Sequence, residues 1–236
     1  MVIMEGRCKM GKLFKNTHFV FSSMLVLVTI VGGNCFASTD GNAEYWQSIG
    51  LDFNMGEDWK ITVREELRVG RSGDDPYLHN TDVGLVYKGL ADWLDVSLNF
   101  KKEFERDSTG KFRRENRPHL NLMFKGELYG CKLGDRLRLE FRDKEKTEDI
   151  WRLRNKFTIN LPFTLTEFDL QPYISDEIFI NLGESTVKQN RFVAGLSFML
   201  SENVKTNVYY MYKSSMSSSS GWIDTNVVGT SVVFVF

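Results

Sequence analysis

The sequence predicts an all-β protein, an antiparallel up-and-down transmembrane β-barrel of about 10–12 strands. Three observations lead to this fold class. From Glu44 onward apolar and polar residues alternate with period two, the pattern of strands that have one apolar face. The alternating segments have the length at which a tilted strand crosses a bilayer, and short connections alternate with long ones. No long segment has the 3.6-residue period of an amphipathic helix.

The first 37 residues differ from the rest of the chain. A basic stretch, "KMGKLFKNTH", precedes an apolar one, "FVFSSMLVLVTIVGG", and the small residues Cys35 and Ala37 follow. This order predicts a secretory signal peptide over 1–37, cleaved after Ala37, and a single outer-membrane barrel domain over 38–236. The mature chain would keep Cys131 as its one cysteine, which excludes an internal disulfide. Its charge is nearly balanced and has no basic block, which argues against nucleic acid as a partner.

Eleven segments carry the alternation, and each has a polar and an apolar side. In "RLRLEFR", for example, Arg136, Arg138, Glu140 and Arg142 share one side. The predicted strands are 45–55, 59–70, 77–88, 93–104, 116–128, 136–142, 151–161, 168–180, 189–200, 204–213 and 224–236.

The connections predict which end of each strand faces which side of the membrane. Short turns follow the odd-numbered segments, including 162–167, and longer polar loops follow the even-numbered ones, including 106–115. Transmembrane barrels have this asymmetry, with short turns in the periplasm and long loops outside. An odd strand count would put the amino terminus on the wrong side. The sequence therefore leaves two alternatives open: a ten-stranded barrel of 59–236 with 45–55 packed against or inside it, or twelve strands.

Alternation alone does not say which face points outward, because a lipocalin-like binder turns its apolar face inward. The polar side of consecutive strands carries too many charges for a soluble exterior alone and suits a wet lumen. Trp59 and Trp151 fall at strand ends in the apolar phase, as an aromatic girdle requires. At the carboxyl terminus Val232, Phe234 and Phe236 share the apolar side, which predicts a lipid-facing closing strand that doubles as an assembly signal.

Several segments resemble a bacterial family catalogued as domain of unknown function 2490. The more specific pieces are Glu115-Asn116-Arg117, Leu153-Arg154-Asn155 and Pro172-Tyr173, and the resemblance covers roughly 44–236. It implies an outer-membrane β-barrel and no established activity.

The polar phases predict a charged lumen. Arginine-rich strands would face strands that carry acids, so that opposite walls differ in sign. Two readings follow, a narrow pore with a transverse field or salt bridges that close the lumen, and small barrels favour a plugged or narrow lumen over a general porin. The candidate lumen residues are Arg64, Arg68, Asp95, Glu103, Arg117, His119, Arg136, Arg138, Glu140, Arg142, Arg152, Arg154, Lys156, Asp169 and Glu177.

Catalysis has little support in the residues. One alternative is a lipid hydrolase that uses His79 on the lipid-facing side, with Thr81 and Asp82 nearby, but its nucleophile would be a threonine. His119 points inward and suits an anion site or a plain charged network. No spacing typical of a metal or a phosphate loop occurs, so we predict no catalytic residues, no metal and no cofactor. The expected partners are outer-membrane lipids and the barrel assembly machinery, and the oligomeric state is left open.

Overall fold

The computed structural model describes residues 43–70, 76–166, 169–217 and 220–236. These ranges contain eleven strands and no helix that is long and apolar enough to cross a membrane. The predicted signal peptide lies outside the described residues. The strands are β1 (Ala43–Met55), β2 (Trp59–Gly70), β3 (Pro76–Ala91), β4 (Leu94–Arg106), β5 (Phe112–Leu128), β6 (Cys131–Lys144), β7 (Ile150–Asn160), β8 (Gln171–Asn181), β9 (Thr186–Ser201), β10 (Val204–Ser217) and β11 (Gly221–Val235).

The strands form one closed barrel, which confirms the predicted fold class. Consecutive strands pair antiparallel, and β1 closes the wall by pairing with β11 in parallel. The register places Tyr45 opposite Val228 and Leu51 opposite Phe234. With eleven alternating strands the first and the last run in the same direction, so their pairing must be parallel. Both alternatives for the strand count were therefore wrong: 45–55 is neither packed aside nor joined by a twelfth strand.

The connections are less asymmetric than the sequence predicted. One end, here called the turn end, carries 56–58, 92–93, 129–130, 161–170 and 202–203, together with Phe236. The other, the loop end, carries Ala43 and the described connections 107–111, 145–149 and 182–185. The connection expected as the short turn 162–167 spans 161–170 instead and is the longest of those described. The expected loop 106–115 shortens because Arg113 and Glu115 continue the lumen-facing phase of β5.

The polarity of the barrel is the inverse of a soluble domain. Glu140 on the inner face has no exposed surface, whereas Leu98 on the outer face is 66% exposed. Most buried side chains of the described ranges are polar or charged, and large apolar side chains cover the outside. Period-two alternation produces this result directly, because successive side chains point to opposite faces of the wall.

Aromatic side chains form a belt on the outer face near each end. At the turn end, the rings of Trp59 and Tyr87 lie 4.6 Å apart between centroids, and Phe53 stacks on Phe236 at 5.3 Å. At the loop end, Phe141 contacts Trp151, with 5.2 Å between ring centroids. Val232 and Phe234 lie on the outer face of β11 between these belts.

Candidate functional site

The most heavily charged part of the lumen is an arginine cluster on β6 and β7 around one carboxylate. Glu140 accepts hydrogen bonds from Arg152 Nε at 2.7 Å and from Arg154 Nη1 at 2.8 Å, and Arg138 Nη1 lies 3.4 Å away. On the other side, Arg154 Nη2 donates to Glu177 on β8 at 2.7 Å. Each arginine projects inward because it occupies the polar phase of its strand.

A second network lies closer to the loop end. Arg117 on β5 donates to Glu103 on β4 at 2.6 Å and to Glu115 on its own strand at 2.7 Å. Arg142 on β6 donates two hydrogen bonds, of 2.5 and 2.7 Å, to the carboxylate of Glu115. Such bidentate pairs hold the guanidinium in one orientation. The network therefore ties three neighbouring strands together from inside.

These contacts correct the expectation that opposite walls differ in sign. The acids of β4 and β8 flank the arginine-rich strands β5–β7, and most pairs join neighbouring or next-neighbouring strands. Arg136 on β6 reaches across β7 to Glu177 at 2.6 Å in the same way. Pairs between nearby strands form rather than pairs across the lumen, because Arg and Glu side chains reach only about one or two strand spacings of 4.7–4.9 Å. The predicted transverse field is consequently largely cancelled within one wall.

The wall facing this charged half carries a row of aromatic side chains and glycines. One row of directly paired residues crosses five strands and alternates large with small: Tyr173, Gly195, Tyr209, Gly229 and Trp46. The Tyr173 ring lies over Gly195, and the Tyr209 ring lies over Gly229. A Cβ atom at Gly229 would come within 2.1 Å of the Tyr209 ring, so the glycines make room for the aromatic side chains.

Trp46 on β1 forms a constriction where the two halves of the lumen meet. It is 2% exposed, and its indole N–H donates to Glu44 Oε2 at 2.8 Å. The Arg68 guanidinium lies 3.5 Å from the centroid of its ring. Arg191 on β9 lies between Trp46, at 4.8 Å, and the buried ring of Phe179, at 4.5 Å. We call Trp46, Arg68 and Arg191 the waist, because together they bridge the lumen from β1 and β2 to β9 by cation–π contacts.

The waist separates two lumenal cavities. The one on the turn side has a volume of about 470 Å³ and includes Trp46 in its lining. The one on the loop side has a volume of about 430 Å³ and includes Arg68. Glu66, Lys101, Arg154 and Arg191 border both. The interior thus holds two small chambers that share part of their lining.

The sequence of this barrel matches the pattern of a known family. The pattern of the family described as "Protein of unknown function (DUF2490)" matches residues 43–223. The chain belongs to this family. The match begins where β1 begins, so the strand that completes the barrel is part of the family pattern. No curated protein matches the sequence.

Most candidate residues face the lumen, but one lies in a connection and another at the mouth of the barrel. Asp169 lies in the β7–β8 connection with a φ of 50° and is exposed, because β8 begins only at Gln171. Asp95 pairs with Lys125 at the turn-end mouth at 2.8 Å. The remaining candidates border the cavities or the two networks: Arg64, Arg68, Glu103, Arg117, His119, Arg136, Arg138, Glu140, Arg142, Arg152, Arg154, Lys156 and Glu177.

Sequence reasoning missed several residues that shape this lumen in the DUF2490 chain. Trp46, Glu66, Lys101 and Arg191 carry the waist or border both chambers. The signal was available, because each occupies the polar phase of its strand. An inward tryptophan in that phase is the clearest case.

The two histidines of the barrel have different surroundings. His119 is buried, its Nδ1 donates to the Arg117 carbonyl at 3.1 Å, and its Nε2 lies 3.5 Å from Asp82 Oδ2. His79 is on the outer face, where its ring stacks on Phe104 with 4.9 Å between centroids. His119 therefore belongs to the charged network, and His79 to the aromatic belt at the loop end.

Proposed function

We propose that this chain is an outer-membrane β-barrel of a Gram-negative bacterium that is structural or a narrow channel, with a lumen obstructed at the waist. The observation that carries the proposal is the inverted polarity of the closed wall. Large apolar side chains cover the outside between two aromatic belts, and ionised side chains fill the inside. Soluble proteins rarely expose apolar patches of this extent, whereas barrels in a bilayer require them.

The polar residues on the outer face also suit a membrane. Asn190 donates to Asp176 at 2.9 Å, and Asn155 donates to Asp135 at 2.6 Å. Hydrogen bonding to one another lowers the cost of placing these groups against lipid, because unsatisfied polar groups are the expensive ones. These pairs support a lipid-facing exterior over a water-facing one.

Fractionation tests the location. We expect the expressed chain in the outer-membrane fraction, and we expect the unheated protein to migrate differently from the boiled protein on a gel, because a closed barrel resists detergent. Recovery in the soluble periplasmic fraction would instead favour the lipocalin-like alternative.

Conductance in a planar lipid bilayer tests the lumen. We expect no large open-pore current steps from the wild type, because the waist and the paired charges narrow the lumen. Steps in the nanosiemens range would contradict the obstructed lumen and favour a solute-permeable porin.

We further propose that His79 is not the catalytic base of a lipid hydrolase. Its ring packs against Phe104, and the hydroxyl of the neighbouring Thr81 donates to Glu65 at 2.5 Å rather than to the histidine. The test is release of acyl chains from lipid A and phospholipid by wild type and by His79→Ala. Release that disappears in the variant would establish the enzyme.

A further inference from the structure

The chamber on the turn side has more positive charge than its own acids can balance. Seven lysine or arginine side chains line it, against three carboxylates. All three carboxylates have partners within the wall: Glu66 accepts from Arg68, Glu177 from Arg154, and Asp82 from Asn99. Asp52 and Glu140, which lie outside the lining, pair with Arg64 and Arg154, and the cations of the lining still outnumber the acids.

Two of these cations make no close ion pair in the described part of the chain, although Glu177 on β8 is directly paired with both in the strand register. Among the residues that the structure describes, no carboxylate oxygen lies within 4.0 Å of Arg191 or of Lys156. Arg191 Nε is buried without a hydrogen-bond partner, and so is Arg136 Nε. The contacts of the Arg191 guanidinium are with the rings of Trp46 and Phe179 and, at 3.5 Å, with the side-chain oxygen of Gln189. Burying a cation without a close counter-ion is costly, and an anion that enters the chamber would lower that cost.

Neutral donors face the same space. Ser175 Oγ is buried without a partner, and Tyr173 and Tyr209 bring hydroxyl groups to the lining. Trp46, Val193 and Met211 form a compact apolar cluster against which Tyr173 and Tyr209 pack. The wall thus combines convergent hydrogen-bond donors with an aromatic and apolar surface.

We propose that this chamber binds a small soluble organic anion, with a phosphate or carboxylate head among Arg191, Lys156 and Arg136 and an apolar body against Trp46. The volume of about 470 Å³ lies within the range of small-molecule sites. A lipid that stays in the bilayer is excluded as the source of the anion, because the wall is hydrogen-bonded around its whole circumference. The proposal rests on the closed barrel and not on its location in a membrane.

Isothermal titration calorimetry of the folded, detergent-solubilised chain tests this site with three probes. These are 1-naphthyl phosphate, which has both the head and the body, inorganic phosphate, which has the head alone, and 1-naphthol, which has the body alone. We expect 1-naphthyl phosphate to bind at least tenfold more tightly than either of the others. Equal binding of 1-naphthol would overturn the anion site, and equal binding of inorganic phosphate would overturn the organic ligand.

Two variants place the binding in this chamber. Arg191→Gln and Lys156→Gln should each weaken 1-naphthyl phosphate binding about tenfold or more, as expected for loss of a charged hydrogen bond. Lys125→Gln is the matched control, because Lys125 lies at the turn-end mouth and does not line the chamber. Heat-modifiable migration confirms that each variant is folded. No binding by the wild type, or unchanged binding by both variants, would overturn the proposal without affecting the membrane assignment.

Discussion

Glu140 holds the centre of the arginine cluster on β6 and β7. It is fully buried and accepts hydrogen bonds from Arg152 and Arg154, with Arg138 close by. Three guanidinium groups around one carboxylate repel one another, so the carboxylate keeps the cluster together. Its removal should cost more than one hydrogen bond, because it leaves several buried cations uncompensated.

We therefore expect Glu140→Gln to lower the free energy of unfolding by about 3 kcal/mol or more. The substitution keeps the shape of the side chain and removes its charge. Urea unfolding of the protein in detergent micelles measures the change. Glu127→Gln is the control, because Glu127 is exposed at the end of β5, and it should change stability by less than about 0.5 kcal/mol. Equal stability of the two variants would contradict the role of Glu140.

Asp107 organises the β4–β5 connection outside the barrel wall. Hydrogen bonding from the Thr109 hydroxyl, and then from Arg113 and the backbone N–H groups of Lys111 and Thr109, lowers the pKa of its carboxyl group. Because this pKa is lowered in the folded state, the ionised carboxylate stabilises the loop at pH values above the ordinary carboxyl pKa. The stabilisation is lost as the pH falls through the lowered value.

Amide hydrogen exchange of Thr109 and Lys111 measures this effect. We expect protection of both amides to persist from neutral pH to below the ordinary carboxyl pKa of 3.8 and to disappear at lower pH. Asp107→Asn should reduce the protection at neutral pH, because the charged acceptor is lost. Glu148→Gln in the next loop is the control and should leave both amides unchanged.

The pairing of β1 with β11 is the element that closes the barrel. Tyr45 donates or accepts a hydrogen bond with Thr230 across this pair at 2.8 Å, and the backbone of Phe236 bonds with Asp52 and Asn54. Because β1 supplies Trp46, the same pairing places the central residue of the waist.

Disulfide cross-linking tests the parallel register. In a background without native cysteines, Gln47→Cys combined with Thr230→Cys should cross-link under mild oxidation, because the two positions are directly paired on the outer face. Gln47→Cys combined with Ser231→Cys should not, because Ser231 points into the lumen. Cross-linking of the second pair but not the first would indicate a register shifted by one residue.

Strands were predictable from the sequence because alternation records a local property, the contrast between two faces. A closed barrel was predictable too, but the parallel pairing that closes it was not, because the partner of β1 lies almost two hundred residues away and its direction depends on the total count. The bounds of β5 were misplaced since a run of charges such as Arg113 and Glu115 is typical both of a loop and of a lumenal face. Individual ion pairs were likewise beyond the sequence, because they depend on register between strands.

The row of alternating aromatic residues and glycines runs across the strands from β8 to β1. Gly229→Ala should destabilise the barrel by about 1–3 kcal/mol, since the added methyl group would overlap the Tyr209 ring. Gly126→Ala is the control, because a Cβ atom there meets nothing within 4 Å. In a protein that already carries Tyr209→Ala, the same Gly229→Ala substitution should lower stability less than it does in the wild type, because the overlapping ring is gone. A purely additive double mutant would contradict the overlap.

At the scale of the whole molecule, the lumen has two unlike halves. Arginine and glutamate networks on β4–β8 fix one side, and aromatic and apolar side chains on β8–β11 and β1 fill the other. The two halves meet at the waist, where Trp46, Arg68 and Arg191 lie between the two chambers.

Trp46→Ala should join these chambers and turn an obstructed barrel into a conducting one. The indole ring is the largest group of the waist, and its loss also frees Arg68 and Arg191 from their stacking contacts. In a planar lipid bilayer we expect large current steps from the variant where the wild type gives no large steps. Reversal potentials should favour anions over cations, because the lining of each chamber has more Lys and Arg than Asp and Glu. Trp222→Ala, which removes an exposed tryptophan, is the control and should stay closed. A Trp46→Ala barrel that is folded by heat-modifiable migration yet silent would show that the arginines alone block the lumen.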